Sequence, residues 1–600
     1  MEIITENGEH FDLPADYYLE LELINPLLDD VGSQTAPGTL PYTPHNLQLL
    51  DFPNRMDRSR KYTFKRNITL QQETFVKKAT QAVLKANRYD KIVSTFYFDE
   101  AIFYEKIKGI KLSELNFKID PSFPQQGNPS VQGCMDFIFQ VMVQNRTSDF
   151  HVFPVMTKLE QYPNILDFFQ KPEILNLTIH DDNSNLEQLR DWSDRRDIVD
   201  NAEITYPAGY GVTFFLKVSF VLESIARELG YSVGTNIFKT HPELQHMVIV
   251  NNVADTIVRG FVDYRQLVPA MTASDFIAVL KTKFGAFLIV EEEKKLLHIE
   301  LYENVLTSSA DMDLTEFLTE YPRIEWTEPR QIKLSAGTTL PFSATKTELY
   351  EDFVKTYGVP EKLQYLVGTV IPNKAYLDST TSSIIMYVPD KDAPGWQTNK
   401  LVRLSSSNFA YYTKDTITIE DHSSDDEQLA EVFLLEMLGK NPSTGVNDIE
   451  GYLLPIIGSR RNVNTTLFIN NETQDSEDSE MPLIFCFRVP AIGPDSKRRK
   501  TVGTPYSRSF EEAEWGNLSL TCQSLFNHFW KTYDTCLRSS FHTVRCTMNI
   551  PFVKLQQLKL HTPKLLFNQP VLIERIKCKI GNGKCEITEA IFRTLRPYAD

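Results

Sequence analysis

Between Phe214 and Leu301 the sequence repeats one plan twice, an amphipathic helix closed by glycine and followed by an extended run, and no other feature constrains the fold as tightly. In the first unit, Val218, Val221, Leu222, Ile225, Ala226 and Leu229 recur at spacings of three and four. The segment Phe214–Leu229 therefore has one apolar face, and Gly230 stands where a left-handed C-cap belongs. Tyr231 onward is extended, and Met247–Val250 reads as a buried strand closed by Asn251-Asn252. In the second unit, Thr272 and Asp275 form a capping box with Asp in place of the usual Glu, and Phe276, Ile277, Leu280 and Phe284 supply the apolar stripe. Gly285 ends that helix, and Ala286–Val290 is expected to pair with Leu296–Leu301 across Glu291–Lys295. Together the two units predict a compact α+β domain over 206–325.

A chain of 600 residues exceeds what one hydrophobic core supports, roughly 250–300 residues, so several domains are required. With 42% hydrophobic and 24% charged residues it has the material for packed cores, which excludes wholesale disorder and rod-like repeats. Residues 1–120 read as an N-terminal β domain. Tyr17–Leu23 alternates with a period of two, Asp29–Pro44 is a loop, Tyr62–Leu70 and Ala82–Tyr97 are further strands, and Glu100–Leu115 is a flanking helix. Residues 121–205 form a connecting β-rich segment.

Over 326–520 an irregular β-rich middle domain is expected. Its β pieces (Ile332–Leu334, Ser383–Val388, Leu483–Val489) are interrupted by Pro, Gly and Ser and by two acidic tracts, Asp421–Gln428 and Glu472–Glu480, read as solvated loops. Residues 521–600 regain order. Cys522, Phe526, Phe529, Tyr533, Cys536 and Leu537 follow helical spacing beside Trp530, which predicts a buried aromatic helix. Val544, Cys546, Met548 and Ile550 then alternate, and Gly581-Asn582-Gly583 turns a strand carrying Val571 and Ile573 into Glu586–Ile591. The fold class is α+β, β-rich and multidomain, with β-barrel or sandwich domains and small helix–strand layers.

Catalytic chemistry is not legible in this pattern. Gly230-Tyr231-Ser232-Val233-Gly234 matches GxSxG, but a nucleophile elbow lies between a preceding strand and a following helix, and here the order is reversed. Gly581-Asn582-Gly583-Lys584 lacks the earlier Gly and the following Ser or Thr of a phosphate loop. His241 and His246 are five apart around Glu243, with Pro242 between, which does not present two imidazoles to one zinc. The acidic pairs Asp181-Asp182 and Asp425-Asp426 fall in polar loops. No catalytic, cofactor-binding or metal-ligating residue is therefore assigned, no cofactor is expected, and the chain is expected not to be an enzyme.

The charge balance, 62 basic against 79 acidic residues, gives −17 and disfavours sequence-general DNA binding. The basic run Lys497-Arg498-Arg499-Lys500 is read as an exposed loop. Six of seven cysteines (Cys486, Cys522, Cys536, Cys546, Cys578, Cys585) fall near the C-terminal end without a CxxC pair and are read as free, mostly buried thiols in a reducing compartment. The first residues have neither the basic nor the apolar region of a signal peptide, and no run of about 18 apolar residues occurs, so a cytoplasmic protein without a membrane segment is expected.

Four stretches, in order, resemble the tail hub (baseplate hub) proteins of bacteriophages, in the form common in phages and prophages of gut Bacteroidetes. They are Asp16–Arg55, with Asn25-Pro26-Leu27-Leu28, Thr39-Leu40-Pro41 and Pro44-His45-Asn46; Thr213–Asn252, with Leu229-Gly230-Tyr231; Leu267-Val268-Pro269 through Leu301; and the C-terminal helix with Phe529-Trp530 and the strands ending Leu595-Arg596. The resemblance implies a structural homotrimer at the distal end of the tail, in which tube-like β domains contributed twice per subunit approximate the sixfold tube. Such a hub joins tube to spike or fibre proteins and surrounds the channel through which DNA passes without specific binding. It would reside in the virion tail, assembled in the bacterial host cytoplasm. The charge balance adds the expectation of an acidic channel wall, with Lys497–Lys500 pointing away from it. The alternatives are a tail-associated cell-wall hydrolase, marked by a carboxylate pair in one cleft, and a host-surface or glycan-binding module, marked by a shallow aromatic groove.

Overall fold

In the computed structural model, residues 1–330 and 460–595 are described with short gaps, the longest at 158–173; between 331 and 459 only Ile332 and separate strands are described. The chain is α+β and strand-rich, with several antiparallel sheets.

The largest sheet has 13 strands and draws on both ends of the chain. From the N-terminal side come β1 (Glu2–Thr5), β2 (Tyr18–Ile24), β3 (Gln34–Thr35), β4 (Gly38–Pro41), β5 (Phe64–Gln72), β6 (Phe75–Ala86) and β7 (Lys91–Tyr97). The middle supplies β8 (Met312–Asp313) and β9 (Arg323–Glu325), and the C-terminal side β10 (Thr543–Met548), β11 (Lys564–Leu566), β12 (Gln569–Gly581) and β13 (Lys584–Thr594). The main path runs β1-β5-β6-β7-β3-β2-β12-β13-β10-β9, and no closed barrel is found among the described residues.

The segments 1–120 and 521–600, set apart as two units in the sequence, meet edge to edge at β2 and β12. Tyr18 stands opposite Gly581 and Ile24 opposite Arg575. The period-two pattern makes this seam. Leu19, Leu21 and Leu23 face Ile580, Cys578 and Ile576, and all six are buried in one core. Gly581 is required there, because a Cβ would fall 2.5 Å from the Tyr17 carbonyl oxygen. Gly581 also pairs with Lys584 where β12 and β13 meet; Asn582-Gly583 lie outside the described residues. The stretch Ala82–Tyr97 is the end of β6 followed by β7 rather than one strand. The helix expected over Glu100–Leu115 ends at Ile107, before Gly109, and a single 3-10 turn covers Leu112–Glu114.

A second core holds the two helix–glycine–strand units. Helix α1 (Val218–Glu228) begins later than its apolar pattern, because Phe215–Lys217 pairs as a strand with Met247–Ile249. Gly230 has φ 78°, and the strand Ser232–Asn236 follows. At α2 (Ala273–Phe284) the Thr272 hydroxyl accepts the Asp275 N–H at 3.1 Å and donates to the Asp275 carboxylate at 2.7 Å. Gly285 closes this helix at φ 61°, and Ala286–Glu291 pairs antiparallel with Leu296–Leu301. The aromatic helix runs from Cys522 to Ser539 with a π turn at Phe526–Trp530. It packs on this second unit: Phe529 lies 5.7 Å from Phe284 and Trp530 5.2 Å from Tyr302, ring centre to ring centre.

Candidate functional site

The face of the large sheet opposite its apolar core carries an ordered ladder of charge. Glu20 pairs with Lys579 at 3.5 Å and Glu22 with Arg575 at 2.9 Å across the seam. Lys577 meets Glu589 at 3.1 Å, Arg545 meets Glu589 at 2.8 Å, and Arg545 reaches Glu325 at 2.9 Å. Acidic β2, basic β12, acidic β13 and basic β10 thus alternate up to Glu325 on β9. Like charges placed directly opposite are destabilising, so this alternation favours one strand order over others. The hydrogen bond from Arg575 to Glu22 raises the guanidinium pKa, and the bond from Arg545 to Glu325 does the same for Arg545.

The motifs singled out in the sequence fall elsewhere. Ser232 opens an exposed strand after a helix, and its backbone N–H donates to the Lys295 carbonyl at 2.8 Å. That element order is the one the sequence predicts, and it does not raise the hydroxyl on a strained elbow. The His241 ring caps the next turn, its Nδ1 accepting the N–H groups of Glu243 and Leu244 at 3.3 and 3.4 Å. His246 instead lies beside His151, with ring centres 6.0 Å apart. Burial, then Arg488 and Lys217, lowers the His246 pKa to about 3. Among the described residues no group of three or more His, Cys, Asp or Glu side chains is placed to hold a metal ion.

The six cysteines whose side chains are described, Cys134, Cys486, Cys536, Cys546, Cys578 and Cys585, are free and buried. The basic run departs from expectation. Arg498, Arg499 and Lys500 belong to the strand Arg498–Thr504, not to a loop, because the apolar strand Leu483–Ile492 beside them offers an antiparallel edge. Lys497, Asp181-Asp182, Asp425-Asp426 and the tract Asp421–Gln428 lie outside the described residues. Of the second acidic tract, Glu472–Thr473 is a strand paired with Phe468–Ile469 rather than a loop.

Among the described residues, the buried carboxylates Asp255 and Glu292 escaped the sequence reading. Asp255, fully buried, accepts the backbone N–H groups of Val463, Asn464 and Thr465 at 2.9, 2.6 and 2.6 Å and the Thr465 hydroxyl at 3.0 Å. The same segment is held by the Tyr210 hydroxyl donating to Asn462 at 2.9 Å and by Arg461 donating to the Gln266 carbonyl at 2.9 Å. A lone Asp after Asn251-Asn252 reads as turn chemistry, so no local signal marks this clamp. Glu292 is also buried. It accepts the Tyr231 hydroxyl at 2.5 Å and pairs with Lys295, whose ammonium sits 4.9 Å from the Tyr231 ring centre.

A cleft of about 420 Å³ opens between 114–126 and 261–265 and contains two carboxylates, Glu114 and Asp263. Burial alone would raise Asp263, but its hydrogen bonds and charge contact with Arg265 hold it below the usual carboxylate range. A hydrolase general acid needs the opposite shift. No helix among the described residues is long and apolar enough to cross a membrane. Comparison with protein-family models and with curated proteins finds no match.

Proposed function

We propose that this chain is a non-enzymatic structural subunit of a bacteriophage tail, forming a homotrimeric hub ring at the distal end of the tail tube. The observation that carries the reading is the seam of the large sheet. One antiparallel half (β1, β5, β6, β7, β3, β2) and another (β12, β13, β10, β9) stand side by side in a single subunit, joined through Leu19, Leu21 and Leu23. Two β halves per subunit, taken three times, match a tube of sixfold symmetry. A closed symmetric ring is also the usual form of such assemblies.

In this reading the ring adapts the tube to spike or fibre proteins, resides in the virion tail after assembly in the host cytoplasm, and surrounds the DNA exit channel without specific binding. The net charge of −17 favours an acidic wall facing the threefold axis, since each basic group there would bind phosphate and slow the DNA.

Electron microscopy of assembled tails tests the proposal. The expected result is three copies in a ring at the tail tip, with more Asp and Glu than Lys and Arg facing the axis. Six copies in the ring would overturn the hub reading, and a net positive lining would overturn the account of the channel. In the cleft described above, Asp263, held low by Arg265, does not suit the general-acid role. Hydrolysis of purified peptidoglycan by the protein would favour the hydrolase instead.

A further inference from the structure

The large sheet is closed at one end and open at the other. Beyond β1 the chain folds back on its own edge, with the Thr5 N–H donating to the Glu9 carbonyl at 2.8 Å and the Phe11 N–H to the Ile3 carbonyl at 3.0 Å. At the other end, β9 pairs with β10 and with no further strand among the described residues. An open edge invites another strand unless it is blocked. Here it is flanked by uncovered apolar side chains: Ile324 is 56%, Trp326 71% and Tyr321 85% exposed. Tyr321 lies parallel to Phe567 within 5°, ring centres 6.0 Å apart. Ile324 stands opposite buried Val544, so it is on the core side of the sheet, just past the point where the core stops covering it.

The charges on this edge select the occupant. Arg323 stands directly opposite Arg545, a like-charge pair, while Arg545 is engaged by Glu325 and Glu589. The carboxylate found for Arg323 is Glu320, at 4.0 Å on the same turn. The strand reads Arg323-Ile324-Glu325, which complements itself when reversed. We propose that β9 is a self-pairing edge, joining two copies of this chain antiparallel about Ile324. Ile324 then faces Ile324 of the second copy, Arg323 faces Glu325 twice, and the charge ladder continues across a twofold axis. The pairing supplies each Arg323 with the carboxylate its own sheet lacks. It also covers Ile324 and brings Trp326 opposite Pro322 of the second copy. This inference does not rest on the hub reading.

Sedimentation equilibrium of the purified full chain tests it, with circular dichroism confirming that each variant is folded. The wild type is expected to form an even-numbered oligomer that dissociates to half its mass on dilution. R323E and E325R each place like charges across both pairs and should weaken association by about tenfold or more. An equal mixture of the two, or the double variant R323E/E325R, restores opposite charges across the axis and should recover association. Three results would each overturn the proposal: a monomer at every concentration, an oligomer indifferent to both single variants, or no recovery on mixing. A trimer unaffected by the variants would do so while supporting the hub. Binding of a polysaccharide to Tyr321 and Trp326 without self-association would instead make the shelf a glycan site.

Discussion

The Asp255 carboxylate accepts the Asn464 backbone N–H at 2.6 Å, joining positions 209 residues apart. Two neighbouring N–H groups and a hydroxyl converge on the same carboxylate, so a buried charge is satisfied by a loop and the loop is held by the charge. Asp255→Asn keeps the shape but turns an amide donor toward groups that themselves donate. Each charge-assisted bond is worth about 1.5–3 kcal/mol, so a loss of at least about 2 kcal/mol is expected. Amide hydrogen exchange at Val463–Thr465 should accelerate; protection equal to wild type would contradict the clamp.

Trp530 is 3% exposed and packs on Tyr302 and Tyr533. Trp530→Ala should destabilise the protein by about 3–5 kcal/mol through the cavity it leaves. Trp530→Phe should cost less, because the indole Nε1 has no hydrogen-bond partner to lose. Urea unfolding of the full chain measures both, and equal midpoints for wild type and the Ala variant would show that the ring contributes no packing.

At the seam, Glu22→Lys places a cation against Arg575 and Lys577. These groups are partly exposed, so the expected cost is about 1 kcal/mol. The double variant Glu22→Lys with Arg575→Glu should recover most of it in a double-mutant cycle. Strict additivity of the two losses would mean that this rung does not help to join the halves.

Acid should weaken the fold well above the carboxylate range. Burial lowers the pKa of His151 well below its usual value, that of His246 to about 3 and that of His561 to about 4. Below the unfolded value near 6.5 the unfolded chain binds protons that the folded chain refuses. The contribution is therefore complete above pH 6.5 and is lost as pH falls toward 4, on the order of 4 kcal/mol by pH 5 from His246 and His561 together. Melting temperature should drop between pH 7.5 and 5, and His246→Asn should flatten that drop. A melting temperature constant over this window would refute the assignment.

Ser232→Ala should leave stability within about 0.5 kcal/mol of wild type, because the exposed residue is held through its backbone N–H to Lys295. On the hub proposal, tail assembly and infectivity should also be unchanged. Loss of a hydrolytic activity in this variant would restore the nucleophile reading.

What the sequence by itself determined is local. Thr272 and Gly285 bound α2 where capping chemistry requires, the Ala286–Val290 and Leu296–Leu301 runs pair as their turn predicts, and Phe529 and Trp530 are buried as helical spacing demands. Helix periodicity and glycine caps act over a few residues, so they can be read without a partner. The tertiary structure alone decided what each exposed alternation meets. Glu20 and Glu22 look like an ordinary solvated strand face until Lys579 and Arg575, more than five hundred residues away, are set against them. Asp255 is likewise indistinguishable from a turn residue until the 463–465 backbone closes over it. Charge complementarity and carboxylate clamps depend on distance in space, and separation along the chain carries no information about it.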